Sequence, residues 1–128
     1  MAFQMSGPML EMCILAVLLR EDSYGYALTQ SVASRLGLSE STLYPVLRRL
    51  KKQGFLDVYD VNHDGRNRRY YSITKSGSSY LNELLTDWTD FIRNVSALIQ
   101  EMPDQLPQLP EHDGKNESTI AERNDADD

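Results

Sequence analysis

Between Gly37 and Gly65 the chain switches hydrophobic period, and few folds accept that switch in so short a span. Leu43, Val46, Leu47 and Leu50 recur at i, i+3, i+4 and i+7, the spacing of one helical face. Ser39 precedes them as an N-cap and Gly54 follows as a stop. From Leu56 to Val61 apolar and polar residues alternate, the period of a strand. Asp64-Gly65 favours a tight primed turn, and the stretch from Arg69 to Ile73 returns with strand-forming residues. A helix must therefore feed directly into an antiparallel hairpin.

Two more helices precede that pair. Residues 9–20 are apolar nearly all round, which predicts a central core helix. Residues 1–8 are expected to be a loose arm closed by Gly7-Pro8, and residues 21–23 a turn. Tyr24, Leu28, Val32 and Leu36 recur every fourth residue, so a second helix is expected to run from Tyr24 to Leu36 and to stop at Gly37. After the hairpin Thr74 is placed to cap a long helix reaching about Met102, or ~40 Å at ~1.5 Å per residue. Its apolar stripe runs through Leu81, Leu84, Leu85, Trp88, Phe91, Ile92, Val95, Leu98, Ile99 and Met102.

The fold expected is mainly α with a small β-hairpin (α+β). A winged helix-turn-helix domain over residues 9–73 precedes a C-terminal dimerisation helix over 74–102. The stripe is too long for so small a domain to cover, and exposed apolar surface of that size marks an interface. Leu81, Leu84, Leu85, Trp88, Phe91, Ile92, Val95 and Ile99 are its expected contacts with a second copy of the chain.

Charge locates the partner. The net charge of −6 is uniform only on paper. Residues 103–128 hold eight acids and two bases, which is the whole imbalance, and they are poor in apolar residues and expected to be disordered. Residues 48–75 instead carry eight bases against Asp57, Asp60 and Asp64. A polyanion is steered by the local field, so the basic body can meet nucleic acid despite the acidic total. On the helix from Ser39, the residues opposite the apolar face are Ser41, Tyr44, Pro45, Arg48 and Lys52, which offer hydroxyls, a phenol and cations to phosphates and base edges. Ser39 joins them at the helix start. Arg66, Arg68 and Arg69 cluster around the hairpin tip and suit phosphates or a minor groove.

Other classes fit poorly. His63 and His112 have no partners at catalytic or metal-ligand spacing, and no nucleophile motif or phosphate-cradling glycine loop occurs. No enzyme activity, metal or cofactor is expected. Cys13, the single cysteine, lies in an apolar run and is expected to be a packing residue. No segment has the ~20 apolar residues of a membrane span, and a cytoplasmic location is expected. Trp88, the only tryptophan, sits at the centre of the last helix's stripe. The minimum expectation is packing in the dimer seam. The sharper one is a slot between the Trp88 rings of two paired copies for a hydrophobic or aromatic effector, with Met12 and Ile92 beside it.

These elements together resemble the PadR family of bacterial regulators over residues 8–102. The resemblance is carried by ILAVLL (Ile14–Leu19), YGYAL (Tyr24–Leu28), STLYPVLRRL (Ser41–Leu50), GFL (Gly54–Leu56) and GRNRRYYSITKSG (Gly65–Gly77). It implies a winged helix on a dimerising helix, repression of nearby genes, and release of DNA by an aromatic or hydrophobic compound. It matches Ser41, Thr42, Tyr44, Pro45 and Arg48 to the recognition helix, Gly65, Arg66 and Arg68 to the wing, and Tyr70 and Tyr71 to the returning strand, one of them facing inward. With one helix after the wing, the chain is similar to the short subfamily, in which a tryptophan at the place of Trp88 flanks a ligand pore. Ala27 departs from the family's usual acidic residue after Gly-Tyr. The rival expectation is a winged helix used for protein–protein contact without DNA binding.

Overall fold

The computed structural model describes residues 5–101. Helix α1 (Gly7–Arg20) is followed by strand β1 (Ser23–Tyr24) and helix α2 (Gly25–Leu36). A 3₁₀ turn (Glu40–Thr42) then leads into helix α3 (Tyr44–Lys52). Strands β2 (Leu56–His63) and β3 (Arg66–Ile73) and helix α4 (Lys75–Gln100) complete the order. This is the winged helix-turn-helix architecture, α+β, with a long C-terminal helix. The chain divides into two units, residues 1–94 and 95–128.

In the first unit α1 is the central helix. Leu10, Met12, Ile14, Leu15 and Leu18 are buried, although Leu19 remains 56 % exposed, so the helix is not buried all round. It begins earlier than the sequence suggests. Ser6 is its N-cap, accepting from the Met9 amide at 3.4 Å, and Gly7-Pro8 form its first turn rather than closing a loose arm. Proline fits there because a first-turn N–H has no helical acceptor. Cys13 is half-buried against the core, and burial pushes its thiol up from the ordinary value.

Leu43, Val46, Leu47 and Leu50 are all buried, so the inner face of α3 is the one its spacing requires. Gly54 (φ 83°) ends the helix. The amides of Gly54 and Phe55 return to the carbonyls of Lys51 (3.0 Å) and Leu50 (2.9 Å), the pairing that satisfies a helix's last acceptors. The sheet order is β1-β3-β2, all antiparallel. Strand β1 replaces part of the expected turn and the first residue of the expected second helix. It exists because Ser23 and Tyr24 pair with Tyr71 and Tyr70. At the hairpin tip Asp64 and Gly65 both have positive φ, 51° and 80°, as a two-residue primed turn demands.

Thr74 fixes where α4 starts. Its hydroxyl accepts from the Gly77 amide (3.0 Å) and donates to the Gly54 carbonyl (2.8 Å), tying the helix to the turn after α3. A Cβ at Gly77 would lie 2.2 Å from the Phe55 carbonyl oxygen, so only glycine lets α4 lie this close to that backbone. Leu81 and Leu84 enter the core of this unit, at 1 % and 9 % exposure. In the second unit the described residues are the last turns of α4, where Leu98 is 69 % exposed and Val95 and Ile99 are partly so. Met102, the acidic tail and His112 lie outside the described residues. Among the described residues no helix is long and apolar enough to cross a membrane.

Candidate nucleic-acid interface

The outer face of α3 is exposed as its pattern requires. Tyr44, Pro45, Arg48 and Lys52 all lie on it. Pro45 stands in the first turn of α3, where its missing N–H costs nothing, so no mid-helix bond is lost. Ser39 is an N-cap by position only. Its hydroxyl makes no bond to the backbone and instead meets those of Ser41 and Thr42, both at 3.0 Å. The three exposed hydroxyls thus form one group just ahead of α3.

Strand alternation sends the wing arginines to opposite faces of β3, although all three border one cleft. Arg66 and Arg68 project from the outer face of β3 with Tyr70, while Arg69 projects from the inner face with Tyr71. Tyr71 is the inward one of the two tyrosines and packs against the core. Arg69 faces Asp60 across the ladder, Nε to Oδ1 at 3.8 Å, with both side chains more than half exposed. Arg68 lies over the Tyr24 ring, 4.5 Å from its centroid. That ring is 5.6 Å from Tyr70, which is 5.6 Å from Tyr59, so three phenols form a row across the sheet. The Tyr59 hydroxyl donates to Asp22 Oδ2 at 2.6 Å, and this bond pushes its pKa up from the ordinary value.

Helix and wing share one cleft. It holds about 570 Å³ and is walled by Tyr44 of α3, by Arg66, Arg68 and Arg69 of β3, and by Tyr24 and Tyr26 at the start of α2. Arg48, Lys52 and the Ser39 hydroxyl group are not in its walls. Tyr24 opens the apolar repeat of the expected second helix and is only partly buried, whereas Tyr26 lies off that repeat and is exposed.

The sequence also hides a polar node under this surface. Glu11 on α1 is buried, at 4 % exposure. Its carboxylate accepts from Arg49 Nε (3.0 Å) on α3 and from the Tyr80 hydroxyl (2.6 Å) on α4. Burial, then the bond to Glu11, raises the Tyr80 pKa to about 12. The Tyr80 ring stacks on Phe55 at 4.4 Å. Three helices are therefore pinned to one carboxylate, and Arg49 is drawn away from the face that carries Arg48.

An apolar cavity of about 370 Å³ lies between α1 and α4, lined by Met9, Met12, Leu84, Trp88 and Phe91 among others. Of the three residues expected at an effector slot, Met12 and Trp88 line this cavity within one chain and Ile92 does not. Trp88 and Phe91 have ring centroids 6.3 Å apart. Of the residues expected at a dimer seam, Leu81 and Leu84 are spent on the chain's own core, because the first three turns of α4 pack inward. Leu85, Phe91 and Ile92 remain exposed at 39 %, 58 % and 42 %. Among the described residues no group of three metal-ligating side chains occurs.

Comparison with known proteins bears on this geometry. Residues 14–83 match the model of the transcriptional regulator PadR-like family. An uncharacterized protein of Lysinibacillus sphaericus is 37 % identical over 98 residues, covering 72 % of this chain and 88 % of its own. A crystal structure from Streptococcus mutans superposes with a TM-score of 0.71 at 35 % identity, covering 88 % of this chain and all of that one. A PadR family transcriptional regulator from Eggerthella lenta gives 0.63 at 37 % identity, covering 73 % and 83 %. A PadR-like regulator from Bacillus cereus gives 0.66 at 31 %, covering 73 % and 93 %.

Proposed function

The chain belongs to the transcriptional regulator PadR-like family, and from that premise we propose that it represses transcription as a cytoplasmic homodimer on a two-fold symmetric operator. One observation carries the reading. The inner face of α3 is wholly buried while its outer face presents Tyr44, Arg48 and Lys52 beside a wing of three arginines. A helix so fixed can enter a major groove while the wing meets the backbone. Two copies paired through the exposed apolar residues of their last helices, Leu85, Phe91 and Ile92, would place two such helices in successive grooves, roughly 34 Å apart.

The cavity at Met12 and Trp88 supports a second part of the proposal. A hydrophobic or planar aromatic compound seated there would release DNA if it binds one arrangement of the two copies better than the other. Calorimetry with such a compound is expected to show binding that Trp88→Ala weakens. Unchanged affinity would remove Trp88 from the site.

Selection of bound duplexes from a random pool tests the main reading. A two-fold symmetric sequence should emerge. Failure to enrich any duplex at low salt would instead favour a protein-contact role for the fold.

A further inference from the structure

Resting on the DNA-binding reading above, we propose that the cleft between α2, α3 and β3 seats a single backbone phosphate of the duplex, with Tyr26 as a donor to it. Tyr26 is the second residue of α2 and is 50 % exposed, too open to be explained by packing. It shares the cleft with Tyr44, which is 38 % exposed, and with Arg68 and Arg69. With Arg66, three guanidinium groups and these phenols line the cleft, and their N–H and O–H groups suit an anion with several acceptor oxygens.

The cleft is already organised. Arg68 is held over Tyr24, Tyr24 leans on Tyr70, Tyr70 on Tyr59, and Tyr59 is tied to Asp22. An arginine restrained in this way loses less freedom when it binds. Among the described residues Arg69 is paired with Asp60, an exposed partner at 3.8 Å, and such a pair yields readily to a stronger anion. The cleft joins the two elements that the parent reading places at the groove and at the backbone. A duplex phosphate is therefore the anion that this position would meet. Free inorganic phosphate has the same chemistry, and the test separates the two.

The full chain is titrated with its selected duplex over a range of salt. Tyr26→Phe keeps the ring and removes only the hydroxyl, so melting should be unchanged and affinity should fall about tenfold, as for a hydrogen bond to a charged group. The salt slope should stay the same because no charge is lost. Arg69→Gln should lower the log–log slope by about 0.9 per chain. Duplexes carrying one neutral methylphosphonate should reveal a position that costs the wild type about tenfold and Tyr26→Phe little, as a shared contact requires. Tyr44→Phe provides a second variant with the same expected pattern. Inorganic phosphate, compared with chloride at equal ionic strength, should not displace the duplex at millimolar concentration.

Wild-type affinity in both phenylalanine variants, or no methylphosphonate position whose cost they remove, would overturn the phosphate seat while the DNA reading stood. Displacement by inorganic phosphate would make the cleft a free-anion site and overturn the backbone assignment. A wild-type chain that binds no duplex would overturn the parent reading itself.

Discussion

Arg48 and Arg49 are neighbours on α3 and belong to opposite worlds. Arg49 reaches inward to a carboxylate that is 5 % exposed, and Arg48 projects outward from the same helix. The wing repeats the outward case, since Arg69 has an acid beside it but both partners stay in solvent. The contrast separates two uses of one side chain. In the node, a buried carboxylate on α1 holds one group from α3 and one from α4. In the cleft, charge left in water remains free for a polyanion. Removing a buried partner strands the other ion, whereas exposed pairs contribute little.

The largest expected effect is at the node. Glu11→Ala should cost about 3 kcal/mol, because it removes the buried acceptor of two hydrogen bonds, from Arg49 and from Tyr80. Thermal unfolding should then drop by more than about 10 °C. A shift of only a degree or two would place the node with ordinary surface pairs and end the contrast. Arg48→Ala should do the reverse, weakening operator binding about tenfold or more while stability stays within about 0.5 kcal/mol. A stability loss like that of Glu11→Ala would mean that Arg48 is structural too.

Tyr80→Phe should cost about 1 kcal/mol for the lost bond to Glu11. It also carries a pH signature. The folded pKa of about 12 lies above the ordinary tyrosine value near 10, so the fold holds this proton more tightly than the unfolded chain. That stabilisation is complete below pH ~10 and is lost as pH rises toward about 12. Urea unfolding across this window should fall less steeply for Tyr80→Phe than for the wild type. Parallel slopes would remove the hydroxyl from the node. The smallest effect belongs to Asp60→Asn. Stability should change by less than about 1 kcal/mol. Duplex binding should tighten slightly at low salt as a like charge leaves the wing. Weaker binding would show that Asp60 holds Arg69 in a needed position.

The sequence made the periodic parts legible. The inner face of α3, the two strands and the Asp64-Gly65 turn follow from local pattern, and so does the exposed face with Tyr44 and Arg48. What stayed hidden depends on distant partners. Strand β1 is two residues long, too short to carry a period, and forms only against β3. Glu11 looks like an interruption of an apolar helix, because its partners lie 38 and 69 residues away. The wing arginines cluster in sequence, but neighbours in a strand point to opposite faces. Leu81 and Leu84 belong to a continuous stripe, and only packing reveals that its first turns serve the chain's own core.

The central claim is that the outer face of α3 and the wing grip nucleic acid through its phosphates. Affinity for the selected duplex, measured against salt concentration with the full chain, tests it most directly. The account predicts a straight log–log fall, with about −0.9 for each phosphate neutralised. A binding constant indifferent to salt, or the absence of binding at the lowest salt, would contradict it.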